Sequence, residues 1–294
     1  MSARLTFIHA LSPLHAGTGQ GVGIIDLPTA REAGTGLPFF PGSSLKGSLR
    51  DLCEDDADRR AVFGPPTDEA EVHAGTAQFS DQRLLLLPIR SLVGTFAWVT
   101  SPLLLQRLAR DVSAAGQESA PPVPAVSRLD GCLVAATGER GIASALTLES
   151  SGRSIVVLED LDLAADESAD VTAWAVWIGE RIFPEDGAWQ AHLLARLCVV
   201  HDDVLGFLAD TALEVTARVQ LSDQSKTVGN GPWYEESLPA ETVLAGLVIA
   251  TPVRNVAKGP AEILDVVGRL ARRPVQLGGK ATVGRGLCRV LVGG

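Results

Sequence analysis

RLTFIHALSPLHAGTGQGVGIID, residues 4–26, sets the reading of the whole chain. Arg4 to Leu11 alternate well enough for a strand, with successive side chains turned to opposite faces. Gly17, Gly19, Gly21 and Gly23 then interrupt the pattern ahead of Ile24 and Ile25. In a dinucleotide-binding turn the glycines are spaced differently and a helix starts at once; here they fall at every second position and no helix start follows. The segment therefore supplies a first strand and a loop.

Outward from it, Gly34 to Gly42 makes a turn-rich connection, and Ser43 or Ser44 is suited to N-cap a helix reaching about Glu54. On that helix Leu45, Leu49 and Leu52 form an apolar stripe, while Ser43, Lys46 and Arg50 share another face. Thr76 to Arg90 and Gly94 to Thr100 predict strands, and Pro102 to Ala114 a helix. The Pro-, Ser- and Gly-rich chain from residue 115 to about residue 160 predicts an irregular insertion. Val171 to Leu197 predicts two helices parted by Pro184, Val204 to Ala209 a short helix, and Glu214 to Leu221 a strictly alternating strand. Gln224 to Pro239 is polar and should project as a hairpin or long loop. Pro260 opens a helix that turns Ile263, Val266, Val267 and Leu270 inward, and strands at Val275 to Leu277 and Leu287 to Val292 bracket GGKATVGRG. Strands and helices alternating with inserted loops predict an α+β fold around a mainly antiparallel sheet, as a single domain over residues 1–294.

Composition bounds the function. With 46% hydrophobic and 20% charged residues the chain is globular. Its apolar runs are far too short for a membrane-spanning helix, and MSARLTFIHALSP does not read as a secretory signal, so a cytoplasmic location and no membrane partner are expected. Cys53, Cys132, Cys198 and Cys288 stand apart, without the CxxC spacing of a zinc site or a disulfide framework, and are expected to be buried thiols. A net charge of -10 weighs against a free-standing nucleic-acid binder. That tension eases if basic residues gather on one face while the acidic stretches Glu54 to Asp58 and Asp160 to Asp170 lie on solvent or on a partner.

Four stretches carry side chains able to do chemistry. In HAGTGQGVGIIDLPTARE, residues 15–32, glycines permit close approach to a phosphate, and Asp26 is able to hold a divalent cation or take a proton from an RNA 2′-hydroxyl. Equally, Asp26 could cap the turn before Pro28, and His15 could be a proton carrier or a structural hydrogen-bonding histidine. In PGSSLKGSLR, residues 41–50, a helix start joins Lys46 and Arg50 as a phosphate site, although an ordinary surface helix would look similar. GGKATVGRG, residues 278–286, carries Lys280 and Arg285 on a glycine-rich turn that lacks the spacing of a P-loop. KTVGNGPWYEESLPAE, residues 226–241, places Trp233 and Tyr234 beside Glu235 and Glu236; the aromatics could stack on bases, or Trp233 could fold back to anchor the loop.

LSPLHAGTGQGVGIIDLPTARE, LPFFPGSSLKGSLRD, VVHDDVLGFLADTALEVTARVQLSDQSKTV with WYEESLPAET, and LGGKATVGRGL together resemble the major backbone subunits of type III-B CRISPR (Cmr) complexes, RAMP proteins of Cas-seven-like fold. The resemblance implies a ferredoxin-like palm of RNA-recognition type with inserted fingers and a projecting thumb at about residues 222–242. It implies copies stacked in a helical filament along a CRISPR guide RNA, with other Cmr subunits as partners and a complementary RNA as target. The family's catalytic aspartate falls on Asp26, and the chemistry implied is cleavage dependent on Mg²⁺ or Mn²⁺ bound only with RNA. In it a displaced 2′-hydroxyl attacks its own phosphate and leaves a cyclic phosphate and a free 5′-hydroxyl. His15, Glu235 and Glu236 become helpers in catalysis, and Ser43, Ser44, Lys46 and Arg50 holders of the guide backbone. Gly17, Gly19, Arg31, Lys226, Trp233, Tyr234, Lys280 and Arg285 become further RNA contacts. Two neighbouring readings are a scaffold whose Asp26 does no chemistry and the type III-A backbone subunit, which is generally shorter and lacks the WYEESLP stretch.

Overall fold

The opening alternation becomes strand β1 (Ser2–Ala10), which feeds two cores: Leu5 and Phe7 enter one, Ile8 and Ala10 the other. The computed structural model describes residues 1–17, 25–66, 74–117, 119–137, 141–222 and 228–293. After β1 come β2 (Phe39–Phe40), α1 (Gly42–Asp51), α2 (Asp56–Phe63), β3 (Ala77–Phe79), β4 (Gln82–Arg90), β5 (Phe96–Thr100) and α3 (Pro102–Ala114). The middle of the chain holds β6 (Gly131–Ala135), β7 (Thr147–Ser150), β8 (Arg153–Leu158), β9 (Leu161–Ser168), α4 (Ala169–Ile182), α5 (Gly187–Arg196), β10 (Leu197–Val200) and α6 (Asp202–Thr211). The last third holds β11 (Glu214–Leu221), β12 (Val228–Ser237), β13 (Val243–Ala250), α7 (Pro260–Leu270), β14 (Val275–Gln276) and β15 (Leu287–Gly293).

Thirteen of these strands make one sheet, whose path runs β14-β15-β1-β13-β4-β5-β10-β6-β9-β8-β7, with β2 beside β4 and β3 beside β13. Within it β15-β1-β13-β4 are mutually antiparallel. Taken in chain order as first, second, third and fourth strands, β1, β4, β13 and β15 lie in the order 4-1-3-2, with α1 after the first and α7 after the third. That is the ferredoxin-like βαββαβ unit, so the palm is present as expected. Strands β5 to β10 extend the sheet as inserted fingers; β10 with β5 and β6 with β9 are its parallel pairs, and the sheet is mixed with an antiparallel majority.

Local signals explain most boundaries. Pro260 sits in the first turn of α7, where its missing N–H costs nothing, and Ile263, Leu264, Val266 and Val267 are buried below it. Pro184 lies between α4 and α5, as its ring requires. Helix α1 departs from expectation at both ends. It stops at Asp51, and its start is not capped by Ser43 or Ser44: the Gly42 amide donates to the Asp81 carboxylate at 2.9 Å, from the turn between β3 and β4.

The insertion expected at residues 115–160 is corrected. Strands β6, β7 and β8 fall inside it and are integral to the sheet, because Cys132, Val134, Val156 and Leu158 alternate inward. Its first part is irregular but pinned: buried Trp174 donates its indole N–H to the Pro122 carbonyl at 2.8 Å. All four cysteines are free and buried, and burial pushes the Cys288 thiol up to about 12. No helix among the described residues is long and apolar enough to cross a membrane.

Strands β11 and β12 form a separate two-stranded sheet, paired from Glu214 with Ser237 out to Leu221 with Val228. Val215, Val219 and Val228 are exposed on it, as on a hairpin that leaves the body of the molecule. Its base carries the residues that matter below.

Candidate functional site

Three segments far apart in sequence converge at the base of the β11–β12 hairpin: the loop at 25–32, the start of the chain around His15, and the turn at 278–286. The loop adds itself to β12 as a short parallel rung, with Leu27 opposite Glu235. The Leu27 amide donates to the Tyr234 carbonyl at 3.1 Å and the Glu236 amide to the Leu27 carbonyl at 3.0 Å. Asp26, one residue earlier, accepts the Tyr234 amide on Oδ2 at 2.7 Å while its side chain stays in solvent. The bond fixes a carboxylate at the foot of the hairpin without burying it. Asp26 thus ties the loop to β12 and does not cap a turn of its own.

The two glutamates of β12 behave in the opposite way. Glu235 is 3% exposed and Glu236 4% exposed, so both carboxylates are buried. Strand alternation sends them to opposite faces. Glu236 accepts the Thr29 amide at 2.9 Å and the Arg31 guanidinium at 2.9 Å, and Arg31 also donates to Asp210, Gly36 and the Ala209 carbonyl. Glu235 accepts the Trp233 indole N–H and the Lys280 ammonium, each at 2.9 Å, and lies 3.3 Å from Arg218. Burial pushes the Glu235 carboxyl up, but hydrogen bonds from Trp233 and Lys280 and the charges of Lys280 and Arg218 outweigh it and hold the group below the ordinary carboxylate range. Trp233 therefore folds back, while neighbouring Tyr234 is 40% exposed.

His15 is 7% exposed and bonds through Nδ1 to the Glu236 carbonyl at 2.7 Å. A carbonyl only accepts, so Nδ1 carries the proton of that bond and Nε2 is the nitrogen turned away from it. The ring lines a cavity of about 300 Å³ with Gly17, Phe40, Pro41, Ser44, Ser48, Gly278 and Gly279. Glycine is required at 278: its φ is +69°, and a Cβ there would strike the His15 carbonyl. The cavity is a cradle of backbone, two hydroxyls and an imidazole at the start of α1, with Lys46 half-buried on the same helix. Such a site suits a phosphate.

Other expected contacts are engaged elsewhere. Arg50 donates to the Gly64 carbonyl at 3.1 Å at the end of α2. Arg285, 8% exposed, donates to Glu214 and to the Thr216 hydroxyl at 2.9 Å each, which locks the glycine turn to β11. Gly19 and Lys226 lie outside the described residues. Sequence reasoning missed Asp81, Thr29, Asp210 and Arg218; each acts on a group distant along the chain, and no local pattern marks them. Among the described residues no three His, Cys, Asp or Glu side chains gather as a metal site. Asp26 is a single donor, since Glu235 and Glu236 are taken by cations and amides, so the described residues at the foot of the hairpin do not by themselves form a metal centre.

A ferredoxin-like palm with inserted fingers, a hairpin thumb and a glycine turn beside it is the architecture of RAMP proteins, and the chain belongs to the RAMP superfamily, which it matches over residues 7–289. More particularly, it is 32% identical over 299 residues to the CRISPR system Cmr endoribonuclease Cmr4 of Pyrococcus furiosus, covering 99% of this chain and 95% of that protein. The crystal structure of oligomeric Cmr4 from Pyrococcus furiosus superposes with a TM-score of 0.76 at 26% identity, over 100% of this chain and 98% of that one. A chain of the type III-B Cmr-beta complex bound to cognate target RNA shares the fold, with a TM-score of 0.71 at 20% identity, over 99% of this chain and 97% of that one.

Proposed function

We propose that the chain is a backbone subunit of a type III-B CRISPR complex, stacked in copies along a guide RNA, and that Asp26 cleaves the paired target RNA. The observation that carries the catalytic part is the exposed Asp26 carboxylate held at the foot of the hairpin by the Tyr234 amide. Family membership and the relatives support the rest. The guide backbone would run over the cradle at the start of α1, with Lys46, Ser43 and Ser44 beside it. The exposed Tyr234 and the hairpin would hold a displaced target nucleotide against Asp26.

In that position Asp26 orients the nucleotide's 2′-hydroxyl and accepts its proton as the oxygen attacks the adjacent phosphorus. The bond from phosphorus to the 5′-oxygen breaks, the 5′-oxygen takes up a proton, and a 2′,3′-cyclic phosphate remains. A divalent cation is part of the proposal only as a visitor: Asp26 offers one oxygen, and RNA phosphates and water would have to complete the shell. His15, with Nε2 toward the cradle, serves phosphate binding better than proton transfer at Asp26. Glu235 and Glu236 act as positioning residues.

Asp26→Asn in the assembled complex is the test. Loss of cleavage with guide and target still bound supports the proposal. Cutting that persists leaves the chain as a scaffold.

A further inference from the structure

Along one face of β1 the alternation runs Leu5, Phe7, His9, so a histidine stands in an apolar row. It is 2% exposed, and the Phe183 ring meets it edge-on at 5.3 Å. Its Nε2 lies 2.7 Å from the Glu241 carboxylate, which only accepts, so Nε2 carries the proton of that bond. Nδ1 is buried with no hydrogen-bond partner among the described residues. A leucine would fill the same space and orphan no polar atom; what the histidine adds is one directed bond.

Glu241 is as unusual as its partner. It lies in the short link, Leu238 to Thr242, by which the hairpin strand β12 returns to the palm strand β13. Its φ is +71°, a left-handed conformation that glycine adopts without strain. Three regions meet at this one residue. The Glu241 amide donates to the Ala10 carbonyl of β1 at 2.7 Å, its carbonyl accepts the Trp98 indole N–H of β5 at 2.9 Å, and its carboxylate takes His9. Beside these, the Ala10 amide donates to the Thr242 carbonyl at 2.9 Å, and Leu14 and Leu238 exchange two backbone bonds of 2.8 and 2.9 Å. Residues 10–14 therefore run as a rail along the link, and Glu241 ties that rail to the fingers. A strained backbone and an orphaned ring nitrogen at one contact mark a place where local preference yields to a geometric demand.

We propose that His9 and Glu241 are a positioning pair: their bond sets the angle at which the hairpin leaves the palm, and so where β12 carries the Tyr234 amide that holds Asp26. The inference rests on the cleavage reading above, and it gives neither residue a step in the chemistry. Both act through β12, whose foot is hung on residues 10–15 by the Leu14 bonds and by His15 on the Glu236 carbonyl. With the pair broken, the backbone rail still holds the hairpin to the palm, but its direction is no longer fixed at the exit. Asp26 then meets the scissile linkage in the right geometry only part of the time.

The test measures single-turnover cleavage at saturating target in complexes assembled with guide. Glu241→Ala and His9→Leu should each slow cleavage by ~10–10²-fold, the scale of a small misplacement of a reacting group, with target affinity within about two-fold of wild type. Glu241→Gln, whose amide oxygen still accepts from Nε2, should restore most of the rate, and the His9→Leu, Glu241→Ala double variant should be no slower than the slower single variant. If Glu241→Ala fails to assemble, Glu241→Asp, one methylene short of His9, should assemble and cut slowly. Wild-type rates in these variants, Glu241→Gln as slow as Glu241→Ala, or losses that follow target affinity or assembly would each overturn the pair. A second readout needs no cleavage. In the full chain, spin labels on Val219→Cys in the hairpin and Arg272→Cys in the palm should give a distance distribution that widens with Glu241→Ala and not with Glu241→Gln; equal widths would also overturn the pair. Asp26→Asn should abolish cleavage and leave that distribution as in wild type. Should Asp26→Asn still cut, the cleavage reading fails, and the label distances decide the pair by themselves.

Discussion

Asp26 and the Glu235–Glu236 pair are neighbours at the foot of one hairpin, yet their carboxylates live in opposite environments. Asp26 makes one bond to a backbone amide and meets solvent, while each glutamate is buried and held by a cation. A carboxylate that must reach a substrate has to keep an open side, whereas one ringed by arginine, lysine and amides is already satisfied. The difference divides the labour: the glutamates clamp the hairpin to the Asp26 loop on one face and to the glycine turn on the other.

The sharpest way to break this comparison is to alter Asp26. Asn retains a carbonyl oxygen for the Tyr234 amide, so Asp26→Asn should leave melting temperature unchanged while cleavage by the assembled complex falls by ~10²–10⁴-fold. A loss of cleavage that came with unfolding would erase the distinction. Glu236→Ala should do the reverse. It leaves Arg31 and the Thr29 amide without their acceptor and should cost ~2–3 kcal/mol by urea unfolding, toward the low end for a buried pair because Arg31 is partly exposed. Cleavage should fall only as far as the loop loses its place, and Arg31→Ala in a double-mutant cycle should show coupling of ~1–3 kcal/mol with Glu236.

Acid sharpens the other face of the clamp. Because the folded-state pKa of Glu235 is depressed, the unfolded chain takes up the proton first as pH falls. Its contribution is complete above the unfolded value near ~4.3 and is lost as pH drops through the folded pKa. Lys280→Met removes a hydrogen bond and a charge that lower the pKa, so the folded carboxyl should titrate at higher pH and the loss should be smaller and complete at higher pH, followed by carboxyl NMR or Trp233 fluorescence. The smallest effect belongs to Trp233→Phe, which forfeits one indole hydrogen bond and should cost ~1 kcal/mol with cleavage retained.

Much of this was legible in the sequence where local chemistry dictates structure. Pro260, the broken helix at Pro184 and the alternation of Glu214 to Leu221 each announce an element whose period and caps decide it. Strands β6 to β8 were not legible, because a short strand in Pro- and Ser-rich chain is fixed by its neighbours: β6 pairs in parallel with β9 and antiparallel with β10. Asp26 was legible as a loop carboxylate near glycines. The burial of Glu235 and Glu236 was not, since their partners Lys280 and Arg31 come from opposite ends of the chain, and Arg285, legible as a basic residue on a glycine turn, is turned inward by Glu214 for the same reason.

The most direct measurement is the structure of the assembled complex with guide and a target whose scissile 2′-hydroxyl is replaced by hydrogen. The account predicts the Asp26 carboxylate within direct or one-water reach of that 2′ carbon, with Glu235 and Glu236 still bound to Lys280 and Arg31. A target strand that passes the other side of the hairpin, with Asp26 turned from the scissile linkage, would contradict it.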